Sequence, residues 1–268
     1  MNFVVRNSPS PGAMLSESNH ESMLCYWEEA ETLGDQQMKF QEFRKLVCDK
    51  HHTSPGNDRT VYPLLKNLGF LQYDAWMNAN HFFTPNGRAY VKLLKGVRDI
   101  EQKEDAGEYE RTKALEKLQA MMEKLVYRGV WIMLTEKPPK EVSYRGTILH
   151  LLRYLLQFDS IDKMEFAYFL YGIQNGVSRE EFADAIHRYR IGEEALEYTV
   201  DVYDKTADGI QLRKRKKGSL TCYGYLLSLL EKAGIVYAPD GNTKKFCLEE
   251  GKRRDIQDML EKAGVQHV

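Results

Sequence analysis

Cysteine is scarce in this chain. Cys25, Cys48, Cys222 and Cys247 are scattered through 268 residues and form no CxxC pair and no Cys/His spacing. That pattern excludes a disulfide framework and a zinc site of ordinary spacing. It fits reduced thiols, so a cytoplasmic location is expected. Long apolar runs are missing as well. No stretch approaches the roughly 18 apolar residues a membrane span needs. The opening MNFVVRNSPSPGAM lacks a basic head before an apolar stretch, so neither a secretory signal nor membrane contact is expected. Catalytic signatures are also lacking: no GxxxxGK[ST] loop, no GxSxG elbow, no HExxH. His51 and His52 are adjacent, so they point apart in regular structure and read as exposed loop. Finally there is no excess of charge. The formal net charge is -1, which by itself argues against a polyanionic partner.

The distribution of charge points the other way. Residues 36–98 carry 10 Lys/Arg against 4 Asp/Glu, and residues 205–262 carry 13 against 8. Residues 1–35 carry 1 against 6, and residues 99–204 carry 14 against 21. Two basic blocks are therefore separated by an acidic one, a hint of polyanion binding.

The basic blocks share an order of elements. Phe40, Phe43 and Val47 recur at a helical period from Met38 to Asp49. Turn chemistry at His51–Asn57 breaks that helix. Asp58 is placed to cap a second helix, Thr60 to Leu68, with Val61, Leu64, Leu65 and Leu68 as its stripe. Gly69 stops it. Phe70–Tyr73 reads as a strand, Asp74–Asn80 as a loop exposing Trp76, and His81–Thr84 as the return strand. Thr84 then caps a helix that starts at Pro85. In the second block Ser219 or Thr221 caps a helix to Ala233, and Gly234 stops it. Ile235–Ala238 is a strand, Pro239–Asn242 a turn, Lys244–Leu248 the return strand and Glu249–Lys262 an amphipathic helix.

Helix, glycine, strand, loop, strand, helix is the winged-helix order. The expected fold is mainly α with small β-hairpins (α+β): two winged-helix modules joined by a helical segment. Residues 1–98 form the arm and first module, 99–204 an all-helical connection, and 205–268 the second module. Within 99–204, one charged helix spans Asp99 to Arg128, Lys137–Lys140 breaks it at paired prolines, and Ser178 opens a capping box with Glu181.

In such modules the helix before the glycine enters the major groove and the loop between strands is the wing. The candidate contacts of the first module are Arg59, Thr60, Tyr62 and Lys66. Those of the second are Arg213, Lys214, Arg215, Lys216 and Lys217, immediately before the recognition helix and within reach of phosphates. Ser219 and Thr221 offer helix-terminal donors, and Asn242, Lys244 and Lys245 belong to the wing. For Tyr62 core packing is the bland alternative, and for Arg59 a surface ion pair worth little.

Metal-dependent nucleases need clustered carboxylates and a lysine near the attacked phosphate. Pro239–Asp240 with Glu250-Gly-Lys252 formally fits PD…ExK. However, Asp240 falls in the wing turn and Glu250 at a strand-to-helix junction, not on adjacent core strands. Glu101-Gln-Lys103 is weaker still. No catalytic and no metal-binding residue is assigned.

Four segments together resemble the N-terminal DNA-recognition portion of AlwI-type type IIS restriction endonucleases and related nicking endonucleases. They are NFVVRNSPSPGAML, RTVYPLLKNLGFLQYD…HFFTPNGRAYVKLL, GTILHLLRYLLQFDSIDKMEFAYFLYGIQNGVSREEFADAIHRYR and LTCYGYLLSLLEKAGIVYAPDGNTKKFCLEE. The resemblance implies two recognition subdomains that wrap a short asymmetric site on double-stranded DNA. It carries over the arm residues Arg6 and Asn7, the first recognition helix with Arg59 and Lys66, and the second with its basic lead-in. The family also implies a C-terminal nuclease domain, but this sequence stops at Val268, soon after the second module. The expectation is thus a sequence-specific DNA-recognition protein without a nuclease domain. No cofactor is expected in this chain, and Mg²⁺ enters only with a nuclease from a separate subunit. Two alternatives stay open: an endonuclease with its own cryptic or a partner-supplied site, and a winged-helix interaction protein or transcription regulator.

Overall fold

A computed structural model describes residues 1–52, 55–102, 107–138, 140–205, 211–217, 220–241 and 244–264, with the backbone alone at 55–58, 203–205, 211–215, 217 and 240. The architecture is α+β, mainly helical with three small sheets. No described helix is long and apolar enough to cross a membrane.

The chain opens with strand β1 (Asn2–Arg6) and helix α1 (Glu17–Leu33), which ends at Gly34 with φ +56°. A short strand β2 (Gln37–Lys39) leads into α2 (Phe40–His51) and α3 (Pro55–Asn67). α3 starts at Pro55, where a proline needs no N–H partner, so Asp58 lies within the helix and is not its cap. Its expected stripe of Val61, Leu64, Leu65 and Leu68 is fully buried. Gly69 turns left-handed at φ +69°, and the Phe70 amide donates back to the Leu65 carbonyl at 2.9 Å.

The hairpin that follows is less regular than its sequence suggests. Leu71 pairs only with Phe83, while β3 (Trp76–Asn78) pairs with β2 and a 3₁₀ turn occupies Ala79–His81. Trp76 therefore sits in a strand, not in a loop. Thr84 caps α4 (Pro85–Glu101) as expected, its hydroxyl accepting from the Gly87 amide at 3.1 Å. Gly87 is required for packing: a Cβ there would run into the Phe70 carbonyl.

α5 (Glu108–Thr135) is a separate helix from α4, where the sequence suggested one from Asp99. It passes so close to α3 that a Cβ on Gly129 would stand 2.6 Å from the Leu68 carbonyl oxygen. Then α6 (Arg145–Phe158), β4 (Ser160–Asp162), α7 (Lys163–Asn175), α8 (Arg179–Arg190) and β5 (Glu197–Lys205) follow. The segment 99–204 is thus not all-helical, since it contributes β4 and β5. Strands of three residues show no readable alternation, which is why β4 escapes a periodicity argument. The last elements are β6 (Gln211–Lys217), α9 (Thr221–Lys232), β7 (Val236–Tyr237), β8 (Lys245–Leu248) and α10 (Arg253–Lys262).

Two stretches repeat the same construction. α1–β2–α2–α3, Leu71 and β3 to Phe83, then α4 correspond to α6–β4–α7–α9, β7 and β8, then α10. In the second sheet the order is β4–β8–β7, and in the first β2 pairs β3 while Phe83 pairs Leu71. The hydrogen bonds repeat too. Ile235 N donates to Leu230 O at 2.9 Å, as Phe70 N does to Leu65 O. Glu249 N donates to Ile235 O at 3.0 Å, and Thr84 N to Phe70 O at 3.1 Å. Gly234, at φ +60°, stands where Gly69 stands. The second stretch inserts α8, β5 and β6 between α7 and α9.

β5 is the centre of the third sheet, with β1 parallel on one side and β6 antiparallel on the other. The boundary expected after 204 falls at the end of β5, and β4 pairs across it with β8. Phe3 and Val5 of β1 are buried, and the Phe3 ring meets Tyr168 and Tyr171 of α7 at 5.4 and 5.2 Å.

Candidate nucleic-acid interface

The basic run before α9 forms the edge strand β6. Its register with β5 runs from Lys217↔Thr199 to Gln211↔Lys205. Residues alternate between the two sides of a strand. Positions 213, 215 and 217 therefore belong to one side, and 214 and 216 to the other. Arg215 shares a register row with Asp201 and Arg6, and Lys216 shares one with Val200 and Val5. Val200 and Val5 are buried, which makes the second side the one packed on α7. Lys216 itself is exposed, and the side chains of Arg213, Lys214, Arg215 and Lys217 lie outside the described residues.

The arm reaches the start of α9. Arg6 pairs through its backbone with Gln174, donating to Oε1 at 3.0 Å and accepting from Nε2 at 2.7 Å, and its side chain is exposed. Asn7 Oδ1 accepts from the Thr221 hydroxyl and the Cys222 amide, both at 3.5 Å. A helix start carries amides without intrahelical partners, and here a residue from the other end of the chain approaches one of them. Thr221 is not the cap: α9 begins at Thr221, and Leu220 precedes it without a side-chain cap bond. Ser219 lies outside the described residues, as does Asn242. Burial pushes the Cys222 thiol above its ordinary value. In the second hairpin Lys244 and Lys245 are exposed, and Tyr223 of α9 donates to the Lys244 carbonyl at 3.1 Å.

Beyond its first turn α9 faces protein. Met14 stands over Gly224, 3.3 Å from where a Cβ would lie. Ser228, Glu231 and Lys232 border a crevice of about 690 Å³ shared with α1, α4 and α5. His20 lines it, bonded to the Tyr90 hydroxyl at 3.0 Å. Burial, and then the charge of Lys232, lower the His20 pKa to about 4, so the ring is neutral at neutral pH.

The first module offers less than its sequence suggested. Arg59 is exposed on α3, but Thr60 is half-buried, 3.1 Å from a Cβ built on Gly12 of the arm. Tyr62 is 1% exposed and stacks on Tyr26 at 4.4 Å, so it is a core residue. Lys66 folds back, donating to the Tyr73 carbonyl at 2.5 Å and pairing with Asp74 at 3.3 Å.

The nuclease-like residues are engaged elsewhere. Glu250 pairs with Arg253 at 2.7 Å, and the Lys252 ammonium lies 4.3 Å over the Tyr127 ring. Glu250 and Lys252 stand on a 3₁₀ turn; the side chain of Asp240 lies outside the described residues, as does Lys103. His51 approaches Glu29 at 3.7 Å, and His52 ends α2 in the left-handed region. Among the described residues no group of three or more His, Cys, Asp or Glu is placed to hold a metal ion.

Sequence reasoning overlooked one polar network. Arg190 donates to Glu165 at 2.5 Å and to the carbonyls of Phe158 and Ser160 at 2.9 and 2.7 Å. Tyr189 donates to Asp162 at 2.9 Å, and Asp162 caps α7 with Glu165 as its return partner. Asp-x-x-Glu before an apolar run was the signal for it.

No protein-family model matches the chain, and no curated protein or solved structure matches it either.

Proposed function

We propose that the chain is a sequence-specific binder of double-stranded DNA built on two winged-helix modules. The repeated construction is the observation that carries this reading. In the second stretch β4 pairs with β8 and β8 with β7, in the first β2 pairs with β3 while Leu71 bridges to Phe83, and in both a helix ends at a left-handed glycine before the hairpin. This pairing supports the winged-helix reading, in which a module presents a helix and a wing to a duplex.

The charge supports a polyanionic partner. Arg213 to Lys217 add five cations to the edge of the sheet that also holds Arg6. An edge strand rich in lysine and arginine also resists pairing with another strand. The contact thereby shifts from the length of α9 to its first turn, the β5–β6 hairpin and the wings. The resemblance to AlwI-type recognition regions gives the same reading, with cleavage and Mg²⁺ supplied by a nuclease subunit. The second reading is a protein-interaction module. It is favoured by α9 beyond Gly224, which borders α1, α4 and α5.

Fluorescence anisotropy of labelled duplexes, random and selected, over a salt series tests the proposal. Affinity should fall steeply with salt, with a logarithmic slope of about -0.9 per phosphate contact. Absence of duplex binding, or affinity independent of salt, overturns it and leaves the protein-interaction reading.

A further inference from the structure

The two hairpins occupy equivalent places but carry opposite chemistry. In the first stretch Lys39 pairs in register with Trp76, and in the second Asp162 pairs with Lys245. Lys39 and Asp162 are each the residue before the following helix, and each is answered by a glutamate three residues on, Glu42 and Glu165. The register therefore places Trp76 and Lys245 at the same position of the two hairpins, each at the start of the strand that follows the wing.

Trp76 is 63% exposed, whereas Trp27 is 9% exposed within the core. Leaving an indole in water gives up burial that folding would otherwise gain, so the fold does not account for it. The ammonium of Lys39 stands 5.7 Å over its ring. Beside it lies a hollow of about 300 Å³ lined by Gln72, Tyr73, Asp74, Met77, Asn78 and His81, with the Asp74 carboxylate paired to Lys66 at 3.3 Å. The surrounding block, residues 36–98, has 10 Lys/Arg against 4 Asp/Glu. An apolar plate with a cation beside it, in a basic block, matches the sugars and base edges of a groove flanked by phosphates.

We infer that the two wings grip duplex DNA by different forces: Trp76 by an apolar wedge contact with sugars and base edges, and Lys245 by an ionic contact with phosphate. This rests on the duplex-DNA reading above. The physical consequence is a division between affinity and salt dependence. A phosphate contact releases counterions and an apolar one does not.

The test compares wild type, W76A, W76F and K245Q by anisotropy from about 50 to about 300 mM salt. Thermal melts confirm that each variant is folded. W76A should lose about tenfold in affinity at every salt concentration with an unchanged slope. W76F should keep most of the affinity, because a phenyl ring retains the apolar face. K245Q should reduce the slope by about 0.9. Unlabelled duplex should quench wild-type tryptophan emission, and W76A should lose that quenching. If wild type binds duplex with a steep salt slope but W76A binds equally well, the wedge is wrong and the DNA reading stands. If W76A lowers the slope, Trp76 acts by holding Lys39, which also overturns the wedge. If wild type binds no duplex, the DNA reading itself has failed.

Discussion

Replacing the cations of β6 in two separate groups tests how the basic strand meets its partner. The register divides them. Arg213, Arg215 and Lys217 belong to rows with Tyr203, Asp201 and Thr199, and Lys214 and Lys216 to rows with Val202 and Val200. Val200 is buried and continues across the sheet to buried Val5, on the side covered by α7. The row of Arg215 runs through Asp201, which is 5% exposed, to Arg6, which is exposed. On the proposed duplex-DNA reading, the face that carries Arg6 and positions 213, 215 and 217 is the one DNA should meet. If each of these three neutralises one phosphate, the triple glutamine variant lowers the logarithmic salt slope by about 2.7. Between about 50 and about 200 mM salt the wild type should then lose roughly 40-fold more affinity than the variant. The K214Q/K216Q pair should change the slope by less than about 0.9. Anisotropy titrations at four salt concentrations read both values. A double variant that reduces the slope as much as the triple one would refute the assignment of sides.

Two further outcomes concern stability. Glu165 is 3% exposed and its partner Arg190 is 32% exposed. Arg190→Met strands a buried carboxylate and should cost about 3 kcal/mol in urea unfolding, the lower end of the usual range for a broken buried pair. E165Q/R190M should recover part of that loss, and a cost of R190M below about 1 kcal/mol would show that water already compensates Glu165. The second outcome is a pH effect. His20 has a folded pKa of about 4 against an ordinary 6.5, so the unfolded chain binds the proton more tightly. Stability from this residue is intact above pH 6.5 and is lost as pH falls through 6.5 to about 4. The loss amounts to about 3 kcal/mol at most. H20Q, which can still bond the Tyr90 hydroxyl, should flatten that acid limb in denaturation measured at several pH values. An unchanged limb would mean that His20 is accessible to protons in the folded state.

Helices were legible in this sequence because their apolar residues recur over several turns. α7 has the bounds its pattern suggested, Lys163–Asn175, and Thr84 caps α4 as its Thr-Pro start implies. Strands were legible only where turn residues framed them, as at β7 and β8. β2, β3 and β4 have three residues each, too few for alternation to register. β6 reads QLRKRKK, a composition that suggests a solvated loop. Its strand conformation comes from pairing with β5, which no local pattern reveals. The candidate site was legible in proportion. Tyr62 could have been assigned to the core from its spacing, since it lies three residues before Leu65 on the buried face of α3. The approach of Asn7 to α9 joins positions 215 residues apart and has no sequence signal of its own.

The near-zero net charge also has a structural answer. α5 has 28 residues and spans about 42 Å at 1.5 Å per residue. At physiological ionic strength exposed charges are screened beyond about 8 Å. Charges at the two ends of such a helix do not sense one another. A total of -1 therefore averages over regions that are electrostatically independent. What a polyanion would meet is the local field, five cations along one edge strand at residues 213–217 and a lysine beside an exposed indole at residues 39 and 76. The acidic excess of residues 99–204 leaves those fields intact wherever it lies more than a screening length away, and it matters where it lies close. Asp201 is such a place, 5% exposed and in one row with Arg6 and Arg215.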